Sequence, residues 1–489
     1  PLFVESTTLL LGPDAGAGTV VCRRTNTLVG DIPPTVTVAV EGHSSYGSAR
    51  LEADADGVVN RGTVVLRTTS SSYSATLAAP TGVFRNDPSG ELIFDPANGG
   101  SRHLDADLLN EGTVSVNQGV ILTRSNGVYT NRGTVAIAPG KTLEIQGGDQ
   151  MFHQEDGTLD LQGGFFVDGD GSGETFQYTG GAITGVPRIE NAAVSFGPGL
   201  TRAPVTVRTY RTCRLLSDVP APITLEITGH NTYGAATLRS AAGFVNRGTL
   251  RLIAAASSGY GASLDIATGT LLNRGSLLFE TGADTAYLRG ELRNEETVEI
   301  TGRTVFDKDA VSHANTGSFT ITDAPSAALT VFGSTEFVQE SGTLTVQGEF
   351  EVDGDGQALI LEGGTVQITG TLWLNGAGGG ERFYFAGGDV TGTVLAESAD
   401  VGFADPGRAE GDVAVEINRS CTLGTDIPAG AVITVRGNSS TGSATLSSAT
   451  GFENHGELVM TSSASGYSAT IRLDEGTLAN GPGGTLEVA

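Results

Sequence analysis

One asparagine keeps returning along this chain. It stands at Asn60, Asn86, Asn110 and Asn131, again at Asn246, Asn273, Asn294 and Asn315, and again at Asn454 and Asn480. The steps within the groups are 26, 24, 21; 27, 21, 21; and 26 residues. Each copy sits in a similar phrase: "VVNRGTVVL" at 58–66, "YTNRGTVAI" at 129–137, "FVNRGTLRL" at 244–252. A strand-rich unit this short cannot bury a core alone, so each copy must stack on the next. The expectation is an all-β chain folded as an elongated parallel β-helix, a β-solenoid, right-handed, with about 21 coils of 21–27 residues. Like strands of successive coils would form parallel sheets.

The motif reads as a corner. Two residues before the Asn stands a large side chain, as at Val58, Phe84, Leu108, Tyr129, Phe244, Leu271, Leu292, Phe452 and Leu478, and only His313 breaks the set. After the turn alternate residues are apolar, such as Val64 and Leu66 or Leu250 and Leu252, so they point inward. The Gly two after the Asn, Gly62 or Gly248, is expected to supply a positive φ at the turn. The asparagines, stacked in register, are expected to form an amide ladder. At "EDGTLDL" from 155, "ESGTLTV" from 340 and "EGGTVQI" from 362, Glu takes the place of Asn.

Composition supports this reading. Gly is 71 of 489 residues and 38% are hydrophobic, which excludes a disordered linker. The net charge of −27 disfavours nucleic acid and anionic membranes as partners. No apolar run reaches ~18 residues, so nothing reads as membrane-embedded. Three cysteines, Cys22, Cys213 and Cys421, are too few and too far apart for a disulfide framework. The abrupt start and stop suggest a piece of something longer.

A longer repeat overlies the short one. "GDIPPTVTVAVEGHSSYGSARL" at 30–51 matches 217–238 and 425–446, and "FHQEDGTLDLQGGFFVDGDG" at 152–171 matches 337–356. The expectation is one continuous solenoid over 1–489, divided into modules at about 1–190, 191–400 and 401–489, the third incomplete. Each module carries tyrosines one coil apart: Tyr46 with Tyr73, Tyr233 with Tyr260, and Tyr467 where Thr441 replaces the first. These read as a stacking ladder, with an aromatic grip on sugar as the alternative.

Chemistry is harder to place. "GHS" at 42 and "GHN" at 229 recur without the carboxylate pair that glycan hydrolysis needs, so His43 and His230 read as turn residues and no catalytic residue is assigned. Asp168 and Asp170 in "VDGDGSGE" start like a calcium loop, but Thr179 stands where a Glu should close it. They are the candidate metal ligands for a structural calcium; no other cofactor is expected. A flat ice-binding array would need two outward Thr ranks, and the second rank reads Val65, Ser115, Ala136, Arg251, Glu299.

The "LxNxGTVxV" coils and tandem modules resemble the β-helical shafts of bacterial surface proteins, the filamentous-haemagglutinin-like adhesins and autotransporter passengers. That resemblance implies a non-enzymatic structural shaft or fibre segment, adhesin-like, outside the cell or on its surface. Its expected partners are further segments of the same chain or identical copies end to end, with surface glycans a second candidate. The alternative reading is a glycan-binding or polysaccharide-degrading β-helix.

Overall fold

The structure is a computed structural model that describes all residues except 55, 97–98, 170–172, 201–203, 255–258, 283, 355, 377–379 and 405–410. Among the described residues every regular element is a strand. The chain forms two compact units, Pro1–Glu226 and Ile227–Ala489. Both are parallel β-solenoids, and together they hold about 18 turns. The count is lower than the expected 21 because many turns exceed the shortest step, 27 residues separating Asn246 from Asn273.

A coil has three sides. In the first unit one coil runs Thr134–Ile137, Thr142–Ile145, Met151–Gln154. The next coil lays Thr158–Leu161, Gly164–Asp168 and Thr175–Tyr178 on these, in parallel and in register. In the second unit Ser318–Ile321, Ala328–Phe332 and Glu336–Gln339 receive Thr343–Val346, Glu349–Asp353 and Ala358–Leu361 in the same way. Two residues of each four-residue side are buried and two are half-exposed, the period-2 pattern of a strand with one wet face.

Stacking like on like fills the interior with columns. Val114, Val135 and Leu159 lie one above another. Phe152 and Phe165 meet edge to face at 4.8 Å, and Phe319, Phe337 and Phe350 continue such contacts at 5.3 and 5.1 Å in the second unit. Each such side chain contributes about 1.5–3 kcal/mol by leaving water.

His313 sits in one of these apolar columns, level with Phe337, its ring 4.8 Å from that of Phe306. Its Nδ1 accepts the Leu292 amide at 3.2 Å. Burial drives its pKa down from 6.5 to about 3. Between those values the unfolded chain binds a proton that the folded chain refuses, so stability falls as pH drops from 6.5 towards 3. The expected slope is about 1.4 kcal/mol per pH unit. Denaturant titrations of wild type and His313→Leu from pH 7 downward should differ by that slope; parallel pH profiles would contradict it.

One coil in each of the first two long repeats is widened by a bulge. The strand Ala75–Asn86 pairs with Arg102–Asn110, but the register jumps between Ala106 and Asp107 and leaves Pro80, Thr81 and Gly82 outside the ladder. The strand Ala262–Asn273 does the same against Ala286–Asn294, the jump lying between Asp265 and Thr270. A cation from two coils away clamps each bulge. The Arg124 guanidinium donates to the Ala79 carbonyl and pairs with Asp107 at 3.1 Å. Lys308, one of two lysines, donates its Nζ to the carbonyls of Ile266 at 2.6 Å and Ala267 at 3.1 Å. Lys308→Met should therefore raise amide hydrogen exchange around Ala267, by the equivalent of ~1–2 kcal/mol of local opening, with little change elsewhere. Unchanged exchange there would show that the bulge holds itself.

Candidate functional site

The asparagine corner closes the third side of each coil, just before the chain turns into the first side of the next. Asn60, Asn86, Asn110 and Asn131 are buried and successive, each Nδ2 donating to the next Oδ1 at 2.7–2.8 Å. Asn246, Asn273, Asn294 and Asn315 repeat the row at 2.7–2.8 Å, and Asn454 reaches Asn480 at 2.7 Å. The second Nδ2 hydrogen goes to a backbone carbonyl of the following coil, such as Thr113 for Asn86 and Thr297 for Asn273. Both donors are thus used, and all the amide dipoles in a row point the same way.

The rows end differently from the sequence reading. Gln154 and Gln339, not Glu155 and Glu340, are level with Asn131 and Asn315, and their Oε1 atoms accept the last Nδ2 at 2.8 Å. Above them stand Tyr178 and Leu361, which return the column to apolar. The glutamates fall one place later, level with the motif's arginine. There Arg61 bridges Asp31 and Asp87, Arg132 bridges Glu155 at 2.9 Å, and Arg274 bridges Glu295 at 2.7 Å. These exposed, alternating charges fix register more than they add stability.

The corner glycine is also required for another reason than expected. Neither Gly62 nor Gly248 takes a positive φ. A Cβ on Gly62 would lie 2.3 Å from the Val36 carbonyl oxygen of the coil below. From Gly112 onward the obstacle is the preceding corner glycine: the Gly90 oxygen at 2.3 Å for Gly112, the Gly112 oxygen at 2.2 Å for Gly133, the Gly133 oxygen at 1.9 Å for Gly157. Glycine is needed because neighbouring backbones touch.

The remaining sequence candidates are dispersed. His43 donates its backbone N–H to Gly47 across a tight turn, and its Nδ1 accepts the Ser45 amide at 3.0 Å. His230 accepts from Thr232 at 3.1 Å, and in the third copy Asn438 Oδ1 accepts from Ser440 at 2.8 Å. An imidazole Nδ1 and an amide Oδ1 do the same work in this turn. The Tyr46 ring rests on His43 of its own turn at 5.1 Å and under the Arg23 guanidinium at 4.6 Å. Pairing of Ala49 with Ala75 sets Gly47, rather than Tyr46, level with Tyr73. Among the described residues no ring contact joins those two tyrosines. Tyr233 lies 5.2 Å from His230, and Tyr260 and Tyr467 are exposed.

Asp168 ends the strand Gly164–Asp168 level with Glu190. Asp170 lies outside the described residues. Among the described residues no three His, Cys, Asp or Glu side chains are grouped to hold a metal ion. The three thiols are free and buried, and burial raises Cys22 to about 12 and Cys213 and Cys421 to about 11. Cys213 Sγ faces the Tyr210 carbonyl at 3.2 Å just as Asn26 Nδ2 faces that of Arg23 at 2.7 Å, so the cysteine, at the start of its strand, takes the place of an amide that ties down the preceding turn. No described helix is long and apolar enough to cross a membrane. No protein-family model matches the chain, and comparison with curated proteins finds no match.

Proposed function

We propose that this chain is a non-enzymatic structural segment, a length of shaft or fibre belonging to a large bacterial surface or extracellular protein of adhesin type. One observation carries the reading: the residues that recur are those that join coil to coil. The Asn rows, the glycines beneath them and the inward apolar columns all bond or pack along the stack. What the sequence repeats is therefore a way of extending the fold, and selection for extension is what a shaft requires. The partners that follow are further coils of the same kind, in the same chain or in another copy set end to end. Surface glycans are a secondary partner, and a structural calcium at Asp168 and Asp170 belongs to the same proposal.

Gold-labelled antibody against this chain, viewed by electron microscopy on intact source cells, tests the assignment. Label along projections outside the cell is expected. Label confined to the cell interior would contradict it, and depolymerisation of acidic polysaccharide by the purified chain would move the assignment to the glycan-degrading alternative.

A further inference from the structure

The first unit uses one device twice to hold a cation. Arg23 lies between the rings of Phe3 and Tyr46, at 4.5 and 4.6 Å, and pairs with Glu41 at 2.7 Å. Burial alone would raise the Glu41 pKa, but Arg23 and Arg67 overcome it and hold it below the usual carboxylate range. Arg188 lies between Phe166 and Tyr210, at 4.5 and 5.5 Å, and pairs with Glu190. Flat aromatic faces with a carboxylate beside them suit a guanidinium, which stacks and forks at once.

At the corresponding place the second unit has different residues: carboxylates beside one aromatic ring, with no arginine in the column. The segment Phe165–Gly171 matches Phe350–Gly356 in sequence, so the column Glu144, Phe166, Arg188, Arg208 corresponds to Thr330, Glu351, Trp373, Leu395. Both arginines have become apolar, while the carboxylates have multiplied. Glu349, Glu351 and Asp353 occupy the three outward positions of one strand. Trp373 flanks them one coil above and Phe332, 49% exposed, one coil below. Burial is the largest influence on Glu351, followed by Asn375, the carboxylates of Asp353 and Glu349, and Thr330; the net effect raises its pKa, and no cation stands among these leading influences. In these columns the nearest arginine is Arg303, two coils from Glu349. Beyond the patch the acids are matched again, Glu397 by Arg419 and Glu416 by Arg436, each at 3.0 Å.

We propose that this face of the second unit docks an arginine-bearing, extended segment of a partner polypeptide. The guanidinium lies on Trp373 and bonds the Glu351 and Asp353 carboxylates, supplying from outside what Arg188 supplies within the first unit. The assignment favours a peptide arginine over a cationic sugar because the guanidinium is the group this chain itself places in the same setting. It stands apart from the shaft reading: either can fail without the other.

Trp373 is the chain's sole tryptophan, so its fluorescence reports on this face directly. The full chain is titrated with a short blocked Gly-Arg repeat peptide, the matching Gly-Gln peptide, and a glucosamine oligomer. A saturable change with the Gly-Arg peptide alone is expected, weakened by added salt. Glu351→Gln combined with Asp353→Asn should weaken it by at least about five-fold, while Glu295→Gln, on another face, should leave it unchanged. Circular dichroism confirms that the variants keep their β content. No saturable change with the Gly-Arg peptide, equal loss in both variants, or a response only to the glucosamine oligomer would overturn the proposal.

Discussion

Gly157→Ala is expected to destabilise the first unit by more than about 4 kcal/mol, among the largest effects of any single methyl group in this protein. Gly157 has φ +64°, and its added Cβ would lie 1.9 Å from the Gly133 oxygen and 2.5 Å from the Arg132 oxygen. Backbone is the obstacle, so no side chain can rotate away. Two controls separate the causes. Gly140 has φ +70° with nothing within 4 Å of its Cβ, so Gly140→Ala should cost only the left-handed penalty, ~1 kcal/mol. Gly12 has neither a positive φ nor a neighbour within 4 Å, so Gly12→Ala should be neutral or slightly stabilising. The order Gly157 far above Gly140 above Gly12, read from urea midpoints, is the prediction; equal effects at Gly157 and Gly140 would mean the coils do not touch at this corner. The chain contains its own precedent for the strain. Glu296 takes the glycine's place in one coil, without a positive φ, and there the bond from Thr297 to Gly275 lengthens to 3.2 Å against 2.9 Å for Ser276 to Gly248.

Asn294→Leu should cost about 3–5 kcal/mol. Asn294 accepts from Asn273 at 2.8 Å and donates to Asn315 at 2.7 Å and to the Ser318 carbonyl at 3.1 Å, all within a buried row. Leucine fits the volume but leaves a donor, an amide oxygen and a carbonyl unsatisfied at once. At the end of the row the same change should be milder. Gln339 gives way to Leu361 in the next coil, so Gln339→Leu orphans only the Asn315 Nδ2 and the Ser341 carbonyl, costing ~1–2 kcal/mol. Calorimetric stability of the two variants gives the comparison, and a Gln339→Leu cost as large as that of Asn294→Leu would deny that the row acts as a chain of bonds.

The corner was legible in the sequence because its logic is local. Asn, Gly and alternating apolar residues announce their facing within nine positions, whatever the coil above looks like. The row's ends were not legible, because Gln154 and Gln339 extend an asparagine pattern with a side chain one methylene longer. The conspicuous Glu155 and Glu340 beside them belong to the charge column instead. The glycine's role is hidden for a related reason: a sequence shows conformational need but not the neighbouring backbone 2.2 Å from a missing Cβ. The bulge clamp joins Lys308 to Ala267 across 41 residues, and the face around Trp373 joins Thr330, Glu351 and Leu395 across four successive coils. Such groupings depend on the length of every intervening turn, and those lengths vary here.

The stacking of coils in register is the claim on which the rest stands, and experimentally determined coordinates for the Asn246, Asn273, Asn294 and Asn315 column test it most directly. The account predicts successive Cα atoms ~4.8 Å apart with amide contacts of 2.7–2.8 Å between neighbours. Coordinates that place Asn246 and Asn273 on turns that do not face each other, or join them in an antiparallel pair, would contradict it.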